Sequence, residues 1–416
     1  MKALIVQVNE TLETNIALVY KTVFIGETAS VLKKLGVEVE VCDATIEGYN
    51  LNEIIKKFCT HPDLVIFVTD VQQARITKRV AEVCKLCFIK SKIMVIGRAT
   101  SFIPQYFMRE PFDSVHINGD REAAIISYVK YLRGEINKEE IANIFLLENN
   151  EKFISSQVKW LDSQDWNTPE LSLLPIESYQ KLNQKQHPDR KLVVGVTSMK
   201  GCTYGCKYCG ASLEEGNIVR YGKVNKILEW GQTIQFDAIV QLWCPNIMNS
   251  IEWLQKFIDA YEIKECNFSW RGVARMESID EEKVQYIYQH NCNEIAVGVE
   301  MIRKKTHNSL KGSELQLLHV IELLKKYNIN LKCLLMLGYP GYEIEDVIYT
   351  IKFLKKYSVN YRITGYTPLH NLTHMSIEEL ESIMIENYDR RLYYNNCNID
   401  SGLFYQILSS NGEILL

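Results

Sequence analysis

Three thiols crowd one short stretch of this chain. In Lys200-Gly201-Cys202-Thr203-Tyr204-Gly205-Cys206-Lys207-Tyr208-Cys209-Gly210 the cysteines follow a C-x3-C-x2-C spacing, directly after the apolar run Leu192 to Val196. Soft thiolates suit iron–sulfur clusters and zinc. A structural zinc site takes four protein ligands, often as two C-x2-C pairs or as three cysteines with a histidine. No histidine stands in this loop. Three thiolates would fill three corners of an iron–sulfur cubane and leave one iron open to a small chelating molecule.

The loop resembles that of the radical S-adenosylmethionine (SAM) superfamily. The resemblance implies that Cys202, Cys206 and Cys209 ligate a [4Fe–4S] cluster, that SAM binds the open iron, and that Tyr208 packs near the adenine. Further likeness runs through most of residues 192–365. Gly298-Val299-Glu300 matches the family's Gly-Ile-Glu position, which implies that Glu300 contacts the ribose or amino group of SAM. Trp270-Arg271-Gly272-Val273-Ala274-Arg275-Met276 matches a segment where an arginine approaches cofactor or substrate. A guanidinium suits a carboxylate because it offers paired donors. Arg271 and Arg275 are both candidates, and a structural ion pair is the alternative for either. Gly338-Tyr339-Pro340-Gly341-Tyr342-Glu343 looks like the family's Gly-x-Pro-Gly-Glu-Thr turn, placing Gly338 and Pro340 beside the cofactor. The family's Gly-Gly-Glu motif for the SAM amino group is replaced by Gln241-Leu242-Trp243-Cys244-Pro245, where Trp243 and Cys244 line the pocket or fill the barrel mouth.

The elements that must carry these residues follow from hydrophobic periodicity. In residues 1–132, Ala3 to Val8, Val37 to Cys42, Leu64 to Val68, Ile93 to Ile96 and Ser114 to Ile117 read as strands. Between them Ala29 to Leu35, Leu51 to Phe58, Gln72 to Phe88 and Arg121 to Leu132 have helical spacing. Repeated strand–helix alternation predicts a Rossmann-like, doubly wound parallel sheet with ligand loops at the carboxyl ends of its strands. Those loops include Val8-Asn9-Glu10, Thr69-Asp70-Val71 and Gly97-Arg98-Ala99-Thr100.

Part of this region looks like the second half of the cobalamin-binding domain of radical enzymes, through Val95 to Thr100 and then Asp113-Ser114-Val115-His116-Ile117-Asn118-Gly119-Asp120-Arg121-Glu122. That likeness makes cobalamin a further expected cofactor, with Thr69, Asp70, Gly97, Asn118 and Gly119 as its binding residues. Gly97-Arg98 replaces the family's paired glycines, and the D-x-H-x-x-G signature that would ligate cobalt is absent, so His116 reads as a strand residue. A degenerate domain kept for structure is the alternative.

Residues 136–190 read as a linker, rich in Asn, Glu, Gln and Lys, whose Trp160 and Trp166 suggest that it packs on something. Alternation then resumes. Strands are expected at Val193 to Thr197, Ala238 to Leu242, Glu265 to Ser269, Glu294 to Val299, Asn330 to Leu337 and Asn360 to Ile363. Helices fit Asn225 to Gln235, Ile251 to Tyr261, Asp280 to Gln289, Leu315 to Tyr327 and Glu343 to Tyr357. Six such units predict a partial (β/α)6 barrel over 191–365, with its chemistry at the carboxyl ends of the strands. Residues 366–416 would close the barrel mouth; of all twelve cysteines only Cys397 falls there, too few for a second cluster. The N-terminal domain is placed at 1–135.

Composition narrows the class. Of 416 residues 47% are hydrophobic and 24% charged, ordinary for a soluble globular protein, and the net charge of −4 argues against nucleic acid as a partner. No apolar run of membrane-spanning length occurs. Scattered thiols behind a strand-like N-terminus point to the reducing cytoplasm, and Cys84-x-x-Cys87, lacking a second pair, reads as structural. The expected activity is therefore a radical SAM enzyme that abstracts hydrogen from a small metabolite or peptide, fed by an external one-electron reductant such as flavodoxin or ferredoxin. A cobalamin-dependent C-methyltransferase leads. Dehydration, epimerisation, cyclisation or ring rearrangement without methyl transfer is the alternative, and a non-catalytic iron–sulfur or zinc module a third.

Overall fold

The computed structural model describes residues 1–8, 19–88, 90–386 and 399–415. The chain folds as two compact units. One comprises Met1–Val196, Lys200–Gly222 and Leu369–Leu392; the other comprises Thr197–Met199, Lys223–Pro368 and Tyr393–Leu416.

The first unit is built on seven strands: β1 (Lys2–Gln7), β2 (Glu38–Asp43), β3 (Leu64–Val68), β4 (Lys92–Ile96), β5 (Ser114–His116), β6 (Ile144–Glu148) and β7 (Glu151–Ile154). Their order is β2-β1-β3-β4-β5-β6-β7. The first five pair in parallel, the doubly wound order 2-1-3-4-5 expected from the alternation. Every residue of β3 is buried, because helices cover both faces of a parallel sheet and leave its strands no polar side. Helices α1 (Glu27–Lys34), α2 (Leu51–Phe58), α3 (Ala74–Cys87) and α4 (Arg121–Leu132) supply that cover. Asn50 and Glu53 start α2 as a reciprocal cap, satisfying two backbone N–H groups that the first turn leaves unbonded. Cys84 is buried and Cys87 exposed on α3.

The polar stretch after α4 carries structure. β6 pairs antiparallel with β5, and β7 with β6, across a two-residue turn at Asn149 and Asn150, both at positive φ. Paired asparagines between strand-like runs are the available signal, since Asn tolerates the left-handed conformation that a tight hairpin requires.

The second sheet runs β13-β12-β11-β10-β9-β8. Its strands are β8 (Leu192–Thr197), β9 (Ala238–Trp243), β10 (Ser269–Ala274), β11 (Cys292–Glu300), β12 (Asn330–Leu337) and β13 (Asn360–Gly365). From β9 to β13 all pairings are parallel. Helices α5 (Val224–Gln232), α6 (Ile251–Ile263), α7 (Glu281–Tyr288), α8 (Glu314–Lys326) and α9 (Ile344–Lys356) alternate with these strands, as the periodicity predicts.

One strand is displaced from its expected place. Glu265 has φ 51° and belongs to a turn, and the third strand of this sheet is Ser269–Ala274. Trp270, Gly272 and Ala274 are its buried face. The alternation is hidden because Gly272 carries no side chain on the buried face and the apolar Val273 stands on the other. Arg271 therefore sits within a strand and not after one. Among the described residues no helix is long and apolar enough to cross a membrane. Cys397, and the loop residues Asn9 and Glu10, lie outside the described residues.

Candidate functional site

The three-cysteine loop is an excursion whose stems, ending in Lys200 and beginning at Arg220, pair as a two-stranded ribbon. Gly201 turns the chain into it at φ 84°, where a Cβ would stand 2.1 Å from the Ile218 carbonyl oxygen. Only glycine fits there. The Gly201 N–H donates to Glu215 Oε2 at 3.1 Å and the Cys202 N–H donates to the Gly216 carbonyl at 3.0 Å. The Cys209 N–H donates to the Cys206 carbonyl at 3.0 Å, closing the turn that carries half-buried Tyr208. His370 Nε2 donates to the Cys209 carbonyl at 3.0 Å, so a residue of the C-terminal segment reaches this loop. Gln105 Nε2 donates to the carbonyls of Leu372 and Met375, both at 3.0 Å, which holds that segment in the first unit.

Cys202, Cys206 and Cys209 form no disulfide among the described residues, and each is half-buried. Among the described residues no three His, Cys, Asp or Glu side chains converge as they would around a single ion. The thiolates of a cubane each hold a different iron, so they surround a cluster without meeting at a point. Three soft donors on one tight, backbone-bonded loop fit a [4Fe–4S] cluster with one iron left open.

Beneath the loop lies a set of buried charges that pattern reading missed. Lys200 Nζ bonds Glu122 Oε1 at 2.7 Å and stands 3.6 Å from Asp120 Oδ1. Arg220 grips Asp120 through both terminal nitrogens, at 2.6 and 3.0 Å. Arg121 pairs with Glu27 and lies over the Phe24 ring. Lys200 also stands 5.0 Å above the Trp166 ring, and Arg220 4.9 Å above the Trp160 ring. Burial opposes the charge of Glu122, yet Lys200 and Arg121 hold its pKa down to about 2. Burial, and then the neighbouring Glu214, lift Glu215 to about 8. Phe24, Asp120, Arg121, Glu122, Lys200, Glu214 and Glu215 line a small crevice together with Gly97, Ser101, His116 and Gly119, at the carboxyl ends of β4 and β5. The signal in the sequence was charge inside an otherwise apolar context, at Gly119-Asp120-Arg121-Glu122 and at Lys200.

The residues expected to meet cobalamin sit around the same strand ends. Gly97 has φ 117°, with the Thr69 carbonyl oxygen 2.3 Å from where a Cβ would be. Thr69 is buried, and its N–H donates to the Ile96 carbonyl. Asp70 caps the turn after β3 and meets Arg98 at 3.4 Å, while Arg98 also meets Glu214 at 3.2 Å. The Gly119 carbonyl accepts from His116 Nε2 at 3.1 Å, and His116 Nδ1 lies 3.4 Å from Thr100 Oγ1. Burial lowers the His116 pKa to about 4. With both nitrogens engaged inside the protein, His116 is not presented as a lower ligand, in line with its place as a strand residue. Asn118 Oδ1, by contrast, is a buried acceptor without a hydrogen-bond partner among the described residues. Such an atom calls for a donor from water or ligand, and an amide N–H of a corrin would fit it.

In the second unit the candidates stand at the carboxyl ends of its strands, with one exception. Trp243 ends β9 and its carbonyl accepts the Ser198 N–H at 2.9 Å. Glu300 ends β11 at φ 65°, after a register shift, with Lys311 Nζ 4.0 Å away. Gly338 follows β12 at φ 91° and is buried, whereas Pro340 is exposed. Arg275 follows β10 and pairs with Glu277. Arg271 is the exception: its Nε donates to Gln241 Oε1 at 2.8 Å and its Nη1 meets Glu294 Oε1 at 3.1 Å, bonding three neighbouring strands together.

Comparison with known proteins agrees with this architecture. The family model of the radical SAM superfamily matches residues 196–354. An uncharacterized methyltransferase of Pyrococcus horikoshii is 22% identical over 342 residues, covering 80% of this chain and 72% of that protein. The radical SAM methyltransferase TsrM of Kitasatospora setae, solved with tryptophan substrate and a SAM analogue, shares the fold at a TM-score of 0.65 and 14% identity, covering 89% of this chain and 75% of its own. The cobalamin-dependent radical SAM enzyme OxsB, solved with aqua-cobalamin and SAM, does so at 0.66 and 16%, covering 94% and 57%. The strand-borne three-cysteine loop and most of the parallel α/β sheet that follows it fall where the radical SAM family model matches, over residues 196–354, with a doubly wound domain preceding them in the chain.

Proposed function

We propose that this enzyme is a cobalamin-dependent C-methyltransferase acting on an unactivated carbon of a small metabolite or short peptide. The observation that carries the radical part is the C-x3-C-x2-C loop, whose three half-buried cysteines are held by backbone bonds. The methyl-transfer part is supported by the likeness to the Pyrococcus horikoshii methyltransferase and by the fold shared with the methyltransferase TsrM, and the cobalamin part by the fold shared with OxsB. When bound, the cluster with SAM supplies a 5′-deoxyadenosyl radical, and cobalamin supplies the transferable methyl group.

The chain's own residues then have assignable tasks. Cys202, Cys206 and Cys209 hold the cluster, and Tyr208 packs against the adenine. Glu300 accepts from the ribose or amino group of SAM, while Gly338 and Pro340 let the backbone approach it and Trp243 excludes water. Arg275 offers paired donors to a carboxylate of cofactor or substrate, whereas the bonds Arg271 already makes favour a scaffolding task for it. The turns with Thr69, Asp70, Gly97, Asn118 and Gly119 carry the corrin edge, where Asn118 Oδ1 awaits a donor. An external flavodoxin- or ferredoxin-type protein in a reducing cytoplasm delivers the electron.

The test is anaerobic reconstitution of the full chain with iron, sulfide and cobalamin, followed by SAM and reductant. Both 5′-deoxyadenosine and S-adenosylhomocysteine are expected. Deoxyadenosine alone would point to a rearrangement, epimerisation, cyclisation or dehydration. Absence of both would refute the radical reading.

A further inference from the structure

The two stems of the cysteine loop converge on one turn of the N-terminal sheet. Lys200, at one stem, bonds Glu122 at 2.7 Å and approaches Asp120 at 3.6 Å; Arg220, at the other, bonds the same Asp120 at 2.6 and 3.0 Å. Lys200, Asp120 and Glu122 are each no more than 3% exposed. The Leu161 N–H also donates to Asp120 Oδ2 at 2.7 Å, so the carboxylate itself is anchored. Such an arrangement is a poor way to gain stability. Taking charges out of water costs nearly as much as their attraction returns, and replacing a buried pair by apolar residues is often neutral. What the pair does provide is direction: a charge-assisted bond tolerates little error in angle or distance. Lys200 lies two residues before Cys202, with Gly201 in a conformation closed to other residues and its N–H bonded to Glu215. A displacement of Lys200 is therefore passed to the first thiol with little backbone freedom to absorb it.

We propose that Lys200 is the positioning residue of the three-cysteine loop, acting through Glu122 and Asp120, so that the turn opening α4 sets where Cys202 stands. On this assignment Asp120 and Glu122 serve the cluster loop from within the N-terminal domain, Glu122 through its Oε1. The inference rests on the radical SAM reading only for its consequence at the cluster; the mechanical claim stands apart.

The experiment compares wild type with Lys200→Met, Glu122→Gln and the paired apolar replacement Lys200→Met/Glu122→Met, each as full-length protein. The paired variant leaves no charge uncompensated and is expected to melt within a few degrees of wild type. Before reconstitution, alkylation of Cys202 by iodoacetamide, read by peptide mass spectrometry, is expected to rise about tenfold relative to buried Cys42 and Cys333 as internal references. After reconstitution, iron and sulfide per chain are expected to fall, and the electron paramagnetic resonance of the reduced cluster to lose the change that SAM induces in wild type. Wild-type labelling and an unchanged spectrum in a folded paired variant would overturn the proposal. Equal acceleration at all cysteines, with a lowered melting point, would also overturn it by making the network merely structural. A wild-type chain that binds no cluster would defeat the proposed function, while the labelling arm would still decide this inference.

Discussion

Arg220 holds Asp120 with both ends of its guanidinium, at 2.6 and 3.0 Å, and the carboxylate it holds is 3% exposed. A paired, planar contact of this kind cannot be supplied by an ammonium group. Removing the guanidinium leaves Asp120 with the Leu161 N–H and the more distant Lys200.

Arg220→Ala is accordingly expected to destabilise the protein by about 3 kcal/mol, the lower end for breaking a buried pair, since Arg220 itself keeps some solvent contact. Urea unfolding of the first unit measures this. Arg220→Lys should recover less than half, and full recovery would show that the second bond is idle.

Cys202→Ala, Cys206→Ala and Cys209→Ala should each reduce 5′-deoxyadenosine formation to background, while the unloaded protein keeps its melting point. The thiols are half-buried and carry little of the hydrophobic core. Wild-type turnover in any one of these variants would remove that cysteine from the ligand set.

Gly201→Ala forces a side chain into a left-handed residue and onto the Ile218 carbonyl. Strain of this kind costs about 1–3 kcal/mol before the clash is counted. Cluster loading should fall by more than global stability does, because the strain lies within the loop; hydrogen exchange over 200–220 would locate it.

Glu215 gives stability a pH dependence of unusual sign. Its pKa in the folded chain is about 8 against an ordinary 4.5, raised by burial and then by Glu214. The folded state keeps a proton that the unfolded chain releases, so this contribution is full below the unfolded value and lost as pH rises towards 8. The melting point of wild type should fall relative to Glu215→Gln by roughly a few degrees between about pH 5 and pH 8. A constant difference across that range would mean that Glu215 is ionised throughout.

Arg271 and Glu294, 3.1 Å apart on adjacent strands and both mostly buried, should show a double-mutant coupling of about 1 kcal/mol. Denaturation of Arg271→Met, Glu294→Gln and the double variant would measure it. Coupling near zero, together with a raised KM for SAM in Arg271→Met, would return Arg271 to the cofactor site.

The sequence by itself determined the elements and the chemistry of the loop. An apolar run such as Leu64–Val68 reads as a strand buried in a parallel sheet, and three thiols at C-x3-C-x2-C spacing restrict the metal chemistry on their own. Both are local, set by residues a few positions apart. The tertiary structure decided what distance in sequence concealed. Lys200, Asp120, Glu122 and Arg220 look like surface charges until the fold brings residues 78 to 100 positions apart within hydrogen-bond reach. Arg271 looked like a residue after a strand until the pairing with Glu294 and Gln241 set it within one. Periodicity reports which face of an element is apolar; it carries no information on which buried charge meets which, because that pairing is settled only when separate elements pack and each desolvated group must find its partner.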